Sequence, residues 1–263
     1  MLEDIGIISN YYSDYYDIGA TSGNFMSFGL LDSYEDVKYV PRKIILNNGA
    51  ELDIDKNKIF ENIYHSWYSS DQENLKIPND NWVSNPLKES GYSWIKAPRY
   101  DGLTMEVGPL ARMYISGLYR KPSSTMNRLV ARVLEAKQIA EGIIKLLGRV
   151  RLEPPASKRF VIPKRAVGID LHDTARGTLA HFTSIVDKVI DKYTIITPSA
   201  WNLSPADSKG VKGAVEQALI GTYVSDPNNP VEVGRVVRSF DPCVSCGTHV
   251  VSDKVSLVNI KVV

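Results

Sequence analysis

The sequence predicts an α+β fold with a helix-dominated core of long buried helices and small antiparallel β-hairpins. One observation is a long amphipathic stretch between Ser123 and Leu147. Another is a pair of short β-prone runs folded back on turn residues, at 43–52 and 179–196. A third is the abundance of Pro, Asn, Ser and Gly from about residue 70 to 107, which predicts long loops.

Taken in order, residues 1–35 are rich in tyrosine and glycine and predict a short helix followed by irregular chain. Lys43 to Leu46 and Ala50 to Leu52 flank Asn47-Asn48-Gly49. That pattern reads as a β-hairpin, because Asn-Gly tolerates the positive φ of tight turns. Gly108 to Tyr119 predicts a short helix. The strongest helix runs from about Ser123 to Leu147, with Ser123 or Ser124 as its cap and Gly148 closing it in the left-handed conformation. Leu129, Val133, Ala136, Ala140, Ile143 and Leu147 recur at spacings of three and four, which predicts a core-packing stripe. At 1.5 Å per residue this helix spans roughly 37 Å. Leu179 to Ile185 and Val189 to Ile196 predict a second hairpin turning at Asp187-Lys188. Short helices near Gly213–Ile220 and Pro230–Val237 lead into a cysteine segment.

A length of 263 residues corresponds to one or two domains with a sizeable core. The formal charge of +1, from 31 basic and 30 acidic residues, gives no electrostatic footprint for nucleic acid or an anionic membrane. Neither a run of about 18 apolar residues nor a signal-peptide pattern is present. The expectation is a cytoplasmic chain, or one attached to a membrane through partner subunits.

Both cysteines of the chain lie in Asp241-Pro242-Cys243-Val244-Ser245-Cys246-Gly247-Thr248-His249. Asp241 fits a helix N-cap, and Pro242 the first helical position, where its missing N–H costs nothing. Cys243 and Cys246 would then share a face of the first turn, with His249 continuing it. A helix N-terminus lowers a thiol from its usual value of about 8.5 toward the thiolate that metals bind. The spacing alone leaves a metal site, a redox pair and an unused pair open. A structural disulfide would close only a tiny loop, and a closed zinc site needs a fourth ligand.

The surrounding residues decide further. Arg238 to His249, taken whole, closely resembles the C-terminal signature of the large subunit of nickel–iron hydrogenases. Ala175-Arg176-Gly177 resembles that family's Arg-Gly segment, and Thr197-Pro198-Ser199-Ala200-Trp201-Asn202-Leu203-Ser204-Pro205 its Trp-Asn stretch. His65 to Tyr68, Tyr92 to Gly102, Glu106 to Arg112, Gly213 to Gly221 and Asp226 to Pro230 follow in the family's order. The family binds nickel with two cysteine pairs, and only the C-terminal pair is in this sequence. Residues 1–249 therefore resemble the C-terminal portion of a large subunit, roughly its second half. Another chain is expected to supply the N-terminal cysteine pair, unless the sequence is a truncated product.

The resemblance implies a Ni–Fe centre, its iron carrying CO and cyanide ligands, for reversible heterolytic oxidation of H2. Thiolates suit such a centre because sulfur favours softer metal states. Cys243 would be a terminal nickel ligand and Cys246 would bridge nickel and iron. Arg176 would hang over the open metal position, with Asp241 as its charge partner, since an unpaired buried charge costs several kcal/mol. Ser199 would hold a cyanide nitrogen, and Ala175 stands where the family usually has proline beside the cyanide ligands. His249 matches a position that binds magnesium. Trp201 is read as a packing residue, Arg99 and Asp101 as a structural pair, and His65, His172 and His181 as core or surface residues.

Implied partners are a small subunit carrying iron–sulfur clusters, a maturation endopeptidase and metal-insertion chaperones. Residues 250–263 resemble the C-terminal extension removed after nickel insertion; the alternative for this β-prone tail is an edge strand. Two further readings stay open. The quinone-site subunit of respiratory complex I shares the fold but lacks the cysteines, and a scaffold could keep the fold without a working site.

Overall fold

A computed structural model describes the chain outside residues 32–38, 71–72, 78–81, 154–159, 244–245, 253–254 and 263. The chain opens with helix α1 (Leu2–Tyr11), then strands β1 (Phe25–Leu30), β2 (Val40–Ile45) and β3 (Glu51–Leu52). Short strands follow: β4 (Ile59–Asn62), β5 (Tyr68–Ser69), β6 (Asn74–Lys76), β7 (Val83–Ser84) and β8 (Ala97–Tyr100). Helices α2 (Pro109–Ile115) and α3 (Thr125–Leu147) precede β9 (Arg165–Thr174), β10 (Gly177–Val186) and β11 (Val189–Ile196). Helices α4 (Pro198–Asn202), α5 (Ala214–Leu219) and α6 (Val231–Ser239) lead to β12 (Cys246–Ser252) and β13 (Val255–Val262).

Antiparallel pairing builds small sheets in the orders β1-β2-β3, β6-β4-β8 and β11-β10-β9, with two-stranded β5-β7 and β12-β13. The α+β class with small antiparallel sheets thus holds. The largest apolar cluster is drawn mostly from strands, around Phe28, Ile44, Tyr100, Phe182 and Ile196, with Trp201 of α4 closing it. Each such buried side chain contributes roughly 1.5–3 kcal/mol relative to exposure.

Both expected hairpins form. Ile44 pairs with Leu52 and Ile45 with Glu51, and Gly49 takes φ +83° in the connecting turn. Asp187 and Lys188 both adopt positive φ, at 51° and 68°, the backbone that a two-residue hairpin turn needs. A strand not anticipated from the sequence, β9, lies on the other side of β10.

Helix α3 has the expected N-terminus, where the Ser124 hydroxyl accepts from the Asn127 N–H at 3.2 Å. Its end differs. Gly148 has φ −66°, right-handed, because the chain winds on in a tight turn with Arg149 N–H donating to Leu146 O. The buried face also differs. Met126, Arg128, Ala131, Glu135 and Gly142 face inward, whereas Ile143 and Leu147 are 49% and 65% exposed. Buried ion pairs, rather than the apolar stripe, seat this helix.

Tyr92, in the loop before β8, bolts two later segments together. Its hydroxyl donates to Glu216 Oε1 at 2.6 Å and accepts from Ala206 N–H at 2.7 Å. Partial burial, then the Glu216 carboxylate, push the phenol up to about 12. Its contribution to stability is complete below the ordinary tyrosine value near 10 and is lost as pH rises through 12. Urea titrations at pH 9 and pH 11 are expected to show a smaller alkaline loss for Tyr92→Phe than for the parent.

Candidate metal centre

Three segments distant in sequence meet at one place. Arg176 sits at the tip of the two-residue turn between β9 and β10, where Thr174 pairs directly with Gly177. The turn is pressed against the start of α2. An ideal Cβ on Gly177 would lie 2.8 Å from Gly108 N, and one on Gly108 would lie 2.9 Å from Arg176 O. Both glycines have positive φ, which L side chains rarely adopt.

Arg176 Nε donates to the backbone oxygen of Asp241 at 3.1 Å and stands 3.5 Å from Asp241 Oδ2. Both side chains are partly exposed, so the direct ion pair contributes modestly. Asp241 follows Phe240, the residue that caps the end of α6. Asp241 has φ +52°, and its N–H donates to Arg238 O at 2.9 Å. A left-handed residue after the last helical turn, followed by proline, is a helix stop. The expectation that Asp241 caps a new helix is therefore corrected: Asp241-Pro242 lies just beyond the end of α6, and the chain is extended over Cys246–Ser252.

Cys243 is an exposed free thiol, and its N–H donates to Ser199 Oγ at 3.2 Å. Ser199 lies in the first turn of α4, which Thr197 caps by accepting from the Ala200 N–H at 3.2 Å, with Pro198 at the first position. Arg176, Asp241, Cys243 and Ser199 thus converge, and Ala175 adjoins them on the turn. Val244 and Ser245 lie outside the described residues. Cys246 and His249 are described as strand positions, paired with Val262 and Asn259 of β13. The single helical face expected for Cys243, Cys246 and His249 does not form.

Burial sets the electrostatics behind this cluster. Arg132 of α3 donates to Ser239 O at 2.8 Å. Desolvation pushes its guanidinium below the usual arginine range, with the Asp241 charge opposing. Among the described residues, no three His, Cys, Asp or Glu side chains are placed to hold a metal ion together. The chemistry of the set fits half of a thiolate cradle: this chain has two cysteines to offer, and Cys243 is held by Ser199 beside Arg176 and Asp241.

Trp201 is almost fully buried, edge-on to Phe28 with ring centroids 6.3 Å apart. Arg99 pairs with Asp207 rather than Asp101, which pairs with Lys58, because the Arg99 side chain turns inward to meet the carbonyls of Pro205 and Val211. His65 meets Ser90 O at 2.7 Å. His172 and His181 stack on the outer sheet face. The sequence reading missed Asn202, whose side-chain amide exchanges two hydrogen bonds with the Val107 backbone, and Arg112 and Glu135 behind the Arg176 turn. Asn202 and Arg112 lie inside the Trp-Asn and Glu106–Arg112 motifs, whereas no local signal marks Glu135.

A strand-turn guanidinium, a serine on a helix start and a thiol beyond a helix stop thus lie side by side in an α+β fold. The family model for nickel-dependent hydrogenase matches residues 1–149 and 117–249, and this chain belongs to that family. It is 31% identical to the uptake hydrogenase large subunit of Bradyrhizobium diazoefficiens, over 99% of this chain and 54% of that subunit. It is 32% identical to the periplasmic [NiFeSe] hydrogenase large subunit of Desulfomicrobium baculatum, over 92% of this chain and 52% of that one. The structure of a reduced, active form of the Ni-Fe-Se hydrogenase from Desulfomicrobium baculatum superposes with TM-score 0.85 at 31% identity, covering 92% of this chain and 55% of that one. The chain spans about half the length of these relatives.

Proposed function

We propose that this chain is the C-terminal portion of a nickel–iron hydrogenase large subunit, acting in the reversible oxidation of H2 to two protons and two electrons. One observation carries the reading: Arg176, Ser199, Asp241 and Cys243 reach one another from three separate segments. When bound, a nickel–iron centre supplies a soft, electron-rich site at which H2 splits heterolytically. Cys243 and Cys246 would hold it as thiolates, together with a cysteine pair from another chain.

The chain's own residues have definable tasks. Ser199 accepts the Cys243 N–H, which fixes the backbone that carries the thiolate. Its own O–H would then be free to donate to a cyanide nitrogen, if a bound iron carried one. Ala175 and Arg176 border the same side, and the Arg176 guanidinium would add positive charge beside a bound centre. Asp241 accepts from Arg176 and keeps that charge in place. A proton released at a thiolate would find Asp241 as the nearest carboxylate among the residues of this cluster. Electrons would leave through the iron–sulfur clusters of a small subunit. Magnesium near His249, metal-insertion chaperones and a maturation endopeptidase belong to the same reading. Residues 250–263, where β13 pairs with β12, would then be the segment removed after nickel insertion.

The test is to purify the chain with the polypeptide that supplies the first cysteine pair. Nickel and iron in the complex, with infrared carbonyl and cyanide stretches, are expected. A well-folded, metal-free complex would sink the reading and favour a scaffold. Mass spectrometry of active material is expected to find the tail absent; an intact mass retaining Val263 rules out processing.

A further inference from the structure

The turn that presents Arg176 is held from behind by a side chain with no other evident task. Arg112 of α2 is fully buried. Its Nε and Nη2 form a two-pronged pair with Glu135 of α3, at 2.6 and 2.7 Å. Its Nη1 donates to Asp173 Oδ2 at 3.2 Å and to Thr174 O at 2.9 Å. Its Nη2 also donates to Ala175 O at 2.9 Å. All five donors of the guanidinium are in use. Asp173 is itself fixed, accepting from Phe28 N–H at 2.9 Å and from the Ser27 hydroxyl at 3.0 Å.

This is more than a buried ion pair. The two carboxylates set the plane of the guanidinium, and its remaining edge meets the two carbonyls that immediately precede Arg176. The opposite side of the turn is in contact with Gly108 and Val107. A two-residue turn gripped on both sides leaves its tip side chain little freedom, and the reach of Arg176 to Asp241 follows from that grip.

We infer that Arg112 is a positioning residue for Arg176: it locks the carbonyls of Thr174 and Ala175 and so aims the site guanidinium. The inference rests on the hydrogenase reading only for its effect on turnover. The Arg112 hydrogen bond to Ala175 O fixes the backbone one residue before Arg176. Lysine cannot replace it, because an ammonium lacks the planar fork that reaches four acceptor groups at once.

The experiment uses the assembled complex with Arg112→Lys, and Glu135→Gln as a milder second variant that keeps the guanidinium. Hydrogen exchange at the amides of Ala175, Arg176 and Gly177 is expected to rise in both, with far-UV dichroism unchanged. Turnover is expected to fall about 10- to 100-fold in Arg112→Lys, the cost of misplacing a site group by roughly 1 Å. Combining Arg112→Lys with Arg176→Lys should be no worse than the poorer single variant, since one residue acts through the other. A merely structural role predicts multiplying losses, and that outcome, or unchanged exchange at the turn in both variants, overturns the inference. A parent complex without H2 turnover defeats the hydrogenase reading alone, and the exchange result still decides for or against the clamp.

Discussion

Replacing Glu106 with alanine is expected to lower the unfolding free energy by about 3–5 kcal/mol, the cost of leaving a buried partner charge uncompensated. Glu106 is buried between β8 and α2, and its carboxylate accepts four hydrogen bonds. Arg128 Nε donates to Oε1 at 2.8 Å, and Arg128 Nη2, the Ser123 hydroxyl and the Thr21 hydroxyl donate to Oε2 at 3.1, 2.7 and 2.7 Å. Without that carboxylate, the Arg128 guanidinium keeps only Ser123, Ser239 and the face of Phe240, 3.6 Å from its ring centroid. None of these neutralises its charge. Small domains are stable by about 5–15 kcal/mol, so the loss is a large fraction of the total. Urea titration measures it directly. A Glu106→Leu, Arg128→Met double variant should lose less than Glu106→Ala, because it removes both charges and keeps volume. If the single variant unfolds at the parent's midpoint, the buried pair is not what holds α3 in place.

That expectation bears on the site as well as on the core. Arg128 stacks on Phe240, the residue immediately before Asp241, and touches Ser239 at the end of α6. Loosening it frees the helix stop that gives Asp241 its left-handed backbone. The residues that aim the site are thus held by charges on α3, one turn after another: buried Arg128 and Glu135, with half-buried Arg132 between them.

This explains what the sequence could and could not disclose. Hairpins are local: the Asp187-Lys188 turn needs only neighbouring residues to form, and it was legible. The length of α3 was legible from its cap, yet its inward face was not. Periodicity ranks Ile143 and Leu147 above Arg128 and Glu135, whereas the fold buries the charges and exposes the apolar residues. The partners that make those charges tolerable, Glu106, Arg112 and Asp173, come from other elements. β9 escaped notice because an inward aspartate and outward valine and isoleucine break the alternation of a half-buried strand. Asp241-Pro242 is ambiguous by its chemistry, since the same dipeptide can open a helix or close one. Arg176, Ser199, Asp241 and Cys243 lie next to one another in the fold, and it is their motifs rather than any local periodicity that single them out.

Gly177→Ala is expected to cost about 3 kcal/mol or more, and to do so at the site itself. Gly177 has φ +132°, a region essentially reserved for glycine, where strain of about 1–3 kcal/mol is typical. Space is the second obstacle. The new Cβ would meet Gly108 N and Val107 Cγ2, both at 2.8 Å, and neither can step aside. Val107 N–H and C=O are bound to the Asn202 side chain, and Gly108 begins α2. Overpacking of this kind adds a further 1–3 kcal/mol. Gly6→Ala in α1 is the control, because nothing lies within 4 Å of its added Cβ. There the expected change is a gain of up to about 1 kcal/mol from helix propensity. Urea midpoints of the two variants should move in opposite directions. In Gly177→Ala the turn must also back away from α2, taking Arg176 off Asp241, so site chemistry should fail before the fold does. Equal stability of the two variants would mean that the Arg176 turn is not pinned against α2.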